Sequence, residues 1–519
     1  MNHDREEDVS NKSSSAGREH DGISILGWIR ICLVGFTIFA TSCSMGLQGI
    51  LSIPFATKMG LSEALSSLIW LCGPITGMVV QPIIGRWSDA YVSKGMRRTR
   101  APFLVTGAII LSLSTIIIGY AVEIGELLGD KGKCCSSHTA GLVIFIIIFW
   151  VYDSAANVVM VVSRSGLVDI SPPQQVSTGF FTQTFISELG GLCAGVIASQ
   201  NWSKASAINL GSDICPRECP PEGCPAGYVA GCYGLRFVVL IDAYIVLVTA
   251  AVAVAAMKIG RPAANGRYSA VPMSDEEHND RPHYPFADCA ALWREVRAAP
   301  RAYRTVLWAM GLSWFGWFTA SIYRSHFVAV EVLPNPFDDD KVYESNLQLA
   351  ARGMFYGSIL SASTSLLFFL LGVYPPHFIN PRLWLIWGVS LVWFAALLLF
   401  SIFFATKVLP GTVAGVQVWL ALVGPAGALS MTIPFALTGR IAQRARGASV
   451  KPGTYMGTLN LAICLPQVFV AILGGPFNAL VGSDAASFAV GGAGALAAAA
   501  LVLRRKYWYD SSDTEGATR

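Results

Sequence analysis

Charge is scarce in this chain: Asp, Glu, Lys and Arg make up 13% of its 519 residues, against about 25% in ordinary soluble domains. A soluble fold of that length would have too few charges to cover itself. The formal net charge of +4 is small and dispersed, which leaves no footprint for nucleic acid. No HExxH, GxSxG or Walker A pattern occurs, and no His-Asp or Cys-His cluster falls at ligand spacing on the apolar segments. These absences argue against an enzyme and against a resident metal or other cofactor.

What the chain has instead is apolar runs. They cover residues 25–55, 65–84, 103–122, 140–162, 180–199, 235–257, 306–323, 354–373, 383–405, 413–437, 457–480 and 485–503. Each is long enough to cross a hydrocarbon core of about 30 Å. The expected fold class is therefore all-α integral membrane, with about twelve transmembrane helices. The first run is too long for the apolar part of a cleaved signal, so the polar, Ser-rich stretch before it reads as a disordered tail on an uncleaved helix.

Loop charge orients the spans. With the N-terminus inside, the inner loops hold Lys94, Arg97, Arg98 and Arg100, a dense set between Lys258 and Arg304, then Arg440, Arg444, Arg446, Lys451 and Arg504 to Lys506. The outer loops hold far fewer basic residues, which puts both termini in the cytosol. The same orientation leaves Cys134, Cys135, Cys215, Cys219, Cys224 and Cys232 outside, where an oxidising compartment favours disulfides. Irregular spacing without interleaved His ranks a zinc cluster below that. Asn201-Trp202-Ser203 is a glycosylation sequon on the same side.

A polar, Pro-containing stretch at 258–302 divides the spans equally. The expected organisation is a tail at 1–24, a six-helix bundle at 25–257, a cytosolic linker at 258–302, a second bundle at 303–504 and a tail at 505–519. Two such halves look like the major facilitator fold, whose bundles rock about a midplane site.

Several segments carry a closer resemblance. They are Trp70-Leu71-Cys72-Gly73-Pro74-Ile75 continuing to Gly85-Arg86-Trp87-Ser88-Asp89, then Ile433-Pro434-Phe435, Leu459-Asn460-Leu461 with Pro466-Gln467, and Gly475-Pro476-Phe477. In that order they resemble the glycoside-pentoside-hexuronide/cation symporters, and most closely their sucrose/proton symporter branch. The resemblance implies carbohydrate transport by symport, with a small-molecule sugar substrate, protons as the coupling ion, no other cofactor, a plasma-membrane location and a monomer as working unit.

Asp153 is the one acid in an otherwise apolar run, about 20 Å along it at about 1.5 Å per residue. An ionised carboxylate there is costly, and a proton removes the cost, which makes Asp153 a candidate coupling site. Asn157 and Arg164 follow at offsets that place all three within about 40 degrees of one helix face. The stretch Trp150-Val151-Tyr152-Asp153 with Asn157, Arg164 and Asp169 resembles the symporter signature, which implies that Asp153 links proton and sugar and that Arg164 is essential. A structural pair buried between helices is the competing reading of Asp153.

Glu188 is a second intramembrane acid where the family usually has Asn; it either titrates or, as is commoner for a buried charge, neutralises a cation. Trp317 fits the family and is a candidate to stack on a sugar ring, or simply packs. Gln48, Arg352, Asn460 and Gln467 also match the family, as candidate sugar contacts or, for the two amides on the second half, as helix glue. The family's paired aspartates after Trp317 become Arg324, itself a candidate sugar contact, and His326, and its outer-loop histidine aligns with Glu63. Those changes leave open a facilitator or symporter of a different small polar solute, or a transport-inactive sugar sensor. Gly85, Asp89, Arg97 and Arg98, with Arg100 in the same basic cluster, form the candidate gate, in which the carboxylate bridges helix ends when the inner side is closed; the competing reading is that the arginines only set topology.

Overall fold

The structure, a computed structural model, describes residues 25–59, 61, 63–94, 98–130, 139–172, 175–199, 232–259, 294, 296–334, 340–373, 380–444 and 452–504. Among these, twelve helices of 18 residues or more follow one another. They are α1 (Ile25–Lys58), α2 (Glu63–Ser93), α3 (Ala101–Gly119), α4 (Thr139–Ile170), α5 (Val176–Ser199) and α6 (Cys232–Ile259), then α7 (Arg301–His326), α8 (Asp340–Val373), α9 (Leu383–Ala405), α10 (Val413–Arg444), α11 (Pro452–Val481) and α12 (Ala485–Val502). A short helix, Ala121–Leu127, extends α3, and α7 runs directly into a π-helical turn at Phe327–Val332.

Long helices are what an apolar backbone must form where no water can satisfy its N–H and C=O groups. Ten of the described helices are long and apolar enough to cross a membrane. The other two, α2 and α7, carry Arg86 and Asp89, and Arg301, Arg304, Arg324 and His326. Outward-facing side chains such as Leu113, Ile147, Val389 and Ile472 are apolar, as a lipid-facing surface requires. The chain is a multi-pass membrane protein.

Contacts sort the helices into two bundles. In the first, α1 packs on α4, α5 and α6, α3 on α4 and α6, and α2 on α4. In the second, α7 packs on α11 and α12, α9 on α10 and α12, and α8 on α10. The bundles meet chiefly through α2 against α11 and α5 against α8 and α10. Proline inside α2, α10 and α11 interrupts the backbone ladder of these interface helices (Pro74, Pro82, Pro425, Pro434, Pro466 and Pro476). Neighbouring helices and hydroxyls make such breaks tolerable. The face on which α1 begins and α12 ends is called the terminal face below.

Candidate functional site: a carboxylate between α2, α4 and α11

Gly77 of α2 marks where three helices converge. A Cβ there would stand 2.9 Å from Cys464 Sγ and 3.0 Å from Asn460 Nδ2 on α11, and 3.3 Å from Asn157 Oδ1 on α4. Glycine leaves room there for side chains from both other helices to close over α2. Asp153 lies one turn along α4 and is buried. Its Oδ2 accepts hydrogen bonds from the Thr76 hydroxyl and from Asn157 Nδ2 at 2.9 Å. Asn157 is held in turn by Gln81, whose Nε2 donates to Asn157 Oδ1 at 2.7 Å. Asn460 reaches across from the second bundle and donates to the Gly77 carbonyl at 3.0 Å. The network has hydroxyls and amides but, among the described residues, no cation paired with Asp153. A carboxylate so placed has one bonded oxygen and one that can take a proton.

Toward the terminal face the same two helices lock. Asp89, near the end of α2, accepts from Gly453 N at 3.0 Å and Thr454 N at 2.7 Å, the first residues of α11. The Thr454 hydroxyl adds a bond at 3.0 Å. This is a helix N-terminus capped by an anion from the other bundle, a favourable pairing of charge with exposed N–H groups. Arg100 completes it, with Nη2 2.7 Å from Asp89 Oδ1 and Nε 2.7 Å from Asp169 Oδ2 at the end of α4. Burial opposes the charge of Arg100, but the Asp169 and Asp89 carboxylates outweigh it and hold the guanidinium above its ordinary value. Beneath the cap, a Cβ on Gly85 would run into the Gly453 carbonyl and one on Gly453 into the Gly85 carbonyl. A second contact ties α10 to α4, where Gln443 Nε2 donates to the Val168 and Ser171 carbonyls at 2.8 and 2.9 Å.

No family model matches the chain. A sucrose transport protein of Arabidopsis thaliana is 28% identical over 555 aligned residues, covering 96% of this chain and 90% of the relative. A sucrose transport protein of Oryza sativa is 28% identical over 480 residues, covering 87% of this chain and 83% of that one. Among solved structures, the E. coli fucose:proton symporter superposes with a TM-score of 0.58 at 13% identity, over 93% of this chain and 99% of that one. A proton:xylose symporter gives 0.56 at 11% identity, over 92% and 95%. The chain has the major facilitator fold and is sucrose-transporter-like in sequence.

In this sucrose-transporter-like chain the remaining candidates scatter. Arg164 leaves the Asp153 network and lies over the Phe435 ring of α10, 4.1 Å from its centroid, with a buried Nη1 that has no partner among the described residues. Glu188 accepts from the Ser361 hydroxyl of α8 at 2.7 Å, so its partner among the described residues is a hydroxyl and not the cation expected. Trp317 is buried and lies flat on Phe394, ring centroids 3.8 Å apart and planes 4° from parallel. Gln48 is in a pocket inside the first bundle, bonded to the Ser52 hydroxyl at 2.7 Å, rather than beside Asn460. Arg324 is half-buried at the far end of α7 with an unpartnered Nε, Gln467 is half-buried on α11, and Arg352 is exposed on α8, more than three turns in from Asp340. His326 forms a rim contact, Nδ1 to Asp484 Oδ2 at 2.7 Å.

Of the gate's basic cluster, the structure brings Arg100 to the carboxylate. The guanidinium on Asp89 belongs to Arg100, while Arg98 is exposed and sits 4.9 Å from the centroid of the Tyr91 ring. Arg98 is a long side chain on a wet surface; Arg100, at the start of α3, is turned inward. Arg97, Cys134, Cys135, Cys215, Cys219, Cys224, the sequon, the linker from 260 to 293 and both tails lie outside the described residues, as does the side chain of Cys232. The sequence reading missed Asp242, an acid of α6 that is 1% exposed. The signal was available, since it is the only acid in the run at 235–257.

Proposed function

We propose that this chain is a proton-coupled symporter of a sugar or glycoside, sucrose-like, that works by alternating access. The observation that carries the reading is the buried Asp153 carboxylate, set in a network of hydroxyls and amides where α2 and α4 of one bundle meet α11 of the other. Proton binding there removes a charge from an apolar site, and that changes how tightly α2 and α4 hold each other. Because α2 and α11 pack along their length, the change reaches the gate at Asp89 and Gly85. The whole-length likeness to sucrose transport proteins supports a sugar as the co-substrate.

In this reading Asn157 and Arg164 line the route of the sugar, Glu188 is a second proton-responsive contact between the bundles, and Asp89 with Arg100 closes the terminal face. That face is toward the cytosol, the protein resides in the plasma membrane, and a single chain is the working unit. No cofactor besides the proton takes part. Labelled sucrose, maltose, trehalose and glucose, offered to expressing cells at acidic and neutral external pH, test it. One of them should accumulate above its external concentration at acidic pH and lose that accumulation with a proton ionophore. Uptake that only equilibrates would point to a facilitator, and the absence of any sugar uptake would remove the symporter reading.

A further inference from the structure

Consecutive residues of α4 point two ways. Asp153 faces α2 and α11, whereas Tyr152 points into the first bundle, where its hydroxyl is 2.9 Å from Ser44 Oγ of α1. Ser44 in turn donates to Asp242 Oδ2 of α6 at 2.6 Å. A hydroxyl chain therefore connects the helix of Asp153 to a second buried acid. Asp242 repeats the arrangement of Asp153: one oxygen is bonded by a hydroxyl, and the other, Oδ1, is fully buried with no partner among the described residues.

Asp242 lines a narrow pocket between α1, α3, α4 and α6. The pocket has about 10 Å³ of space for water-sized occupants, about enough for one. Its walls are mostly carbon, from Leu47, Phe55, Ile118, Phe145 and Val239, with Gln48 and Ser52 at one side. The titratable groups facing Asp242 are Tyr152 from α4 and Cys43 from α1; α3 contributes Thr115 to the pocket and bonds α6 through Ser112 to the Ala243 carbonyl. No cation pairs with Asp242 among the described residues.

A bare carboxylate in such a place must be compensated. A hard metal cation needs about six oxygen ligands or more, and mostly carbon walls with a few side-chain oxygens do not supply them. A proton needs only the free oxygen. We propose that Asp242 is a second proton-binding site of this chain, separate from the site between the bundles and joined to it through Ser44 and Tyr152. The proton forms an O–H bond at Oδ1 and gives a neutral acid; on release it returns to water. The neutral acid leaves Ser44 free to turn between Asp242 and Tyr152, so occupancy alters how α1, α4 and α6 hold one another. This deepens the proton-coupled reading and rests on it only for what the proton accomplishes.

Infrared difference spectra between acidic and alkaline buffer, on the full chain in liposomes, test the site directly. Asp242→Asn should remove one protonated-carboxyl band and leave the band that Asp153→Asn removes. A spectrum of Asp242→Asn identical to that of the unaltered protein overturns the proposal, as does a band that follows sodium instead of pH. Should Asp242→Asn fail to fold, Ser44→Ala keeps the acid and removes its donor; the same band should then shift in frequency and in pH midpoint, and an unshifted band again overturns the site. A spectrum in which Asp153→Asn removes no band would damage the coupling reading and leave Asp242 standing.

Discussion

Asp89 caps a helix of the opposite bundle: its Oδ2 accepts from Thr454 N at 2.7 Å although the two residues are 365 positions apart. The bond exists only while α2 and α11 are together at the terminal face, so it belongs to one conformation of the transport cycle. Asp89→Ala removes the cap and leaves Arg100 with the Asp169 carboxylate and the Ser88 hydroxyl. A lost cap costs about 0.5–2 kcal/mol, which favours the open terminal face by about twofold to thirtyfold. Cys464, buried on α11 near Asp153, reports the change. An impermeant thiol reagent applied from the terminal face should label it faster in Asp89→Ala by that factor, and an unchanged rate would show that the cap does not hold the gate.

Gly453→Ala should act more severely. The added Cβ meets the backbone carbonyl of Gly85, which no rotamer change can move aside. The terminal face should then stay open: labelling of Cys464 becomes insensitive to sugar, and uptake falls by about tenfold or more. Wild-type uptake by Gly453→Ala would mean that α2 and α11 need not approach this closely for the cycle to turn.

How much of this was legible beforehand differs by residue. The twelve spans were, because a helix that crosses lipid leaves an apolar run in the sequence. Asp153 was too, as an acid interrupting such a run. Asp242 breaks its run in the same way, but α6 is the most apolar of the candidate spans, and one acid hardly alters its average. The gate was legible only in part. A basic cluster at a helix end marks orientation whichever of its members turns inward, so the sequence could not single out Arg100 over Arg97 and Arg98. Nor could it reveal that the partner of Asp89 is the start of α11, since pairing over such a distance is decided by how two bundles dock. Trp317 and Gln48 carried the right chemistry for sugar contact, and packing turned both into the interior of a bundle.

Asp153→Asn keeps the size of the side chain and an oxygen for Thr76 to bond, but it cannot exchange a proton. Proton-driven accumulation should be lost while sugar exchange at equal pH persists. The sign with pH follows from symport: uptake by the unaltered protein rises as external pH falls, because protons enter with the sugar, and the variant's uptake should be flat. Vesicles with an imposed pH gradient measure both. Full accumulation by Asp153→Asn would take this residue out of the coupling step.

Trp317 separates packing from sugar contact. One face of its indole is covered by Phe394, its edge faces Gly427 of α10, and the residue is only 8% exposed. An aromatic ring that stacks on a sugar has to offer an open face, which this one does not in the present conformation. Truncation to Ala should therefore open a void in the second bundle and cost about 3–5 kcal/mol of stability, visible as a lower melting temperature in detergent. The KM for sugar of the protein that survives should stay within about twofold, since no substrate contact is lost. Trp317→Phe, which restores most of the stacking, should recover the melting temperature. The opposite pattern, a large rise in KM with melting unchanged, would place Trp317 in the sugar site after all and would require the stack on Phe394 to open during transport.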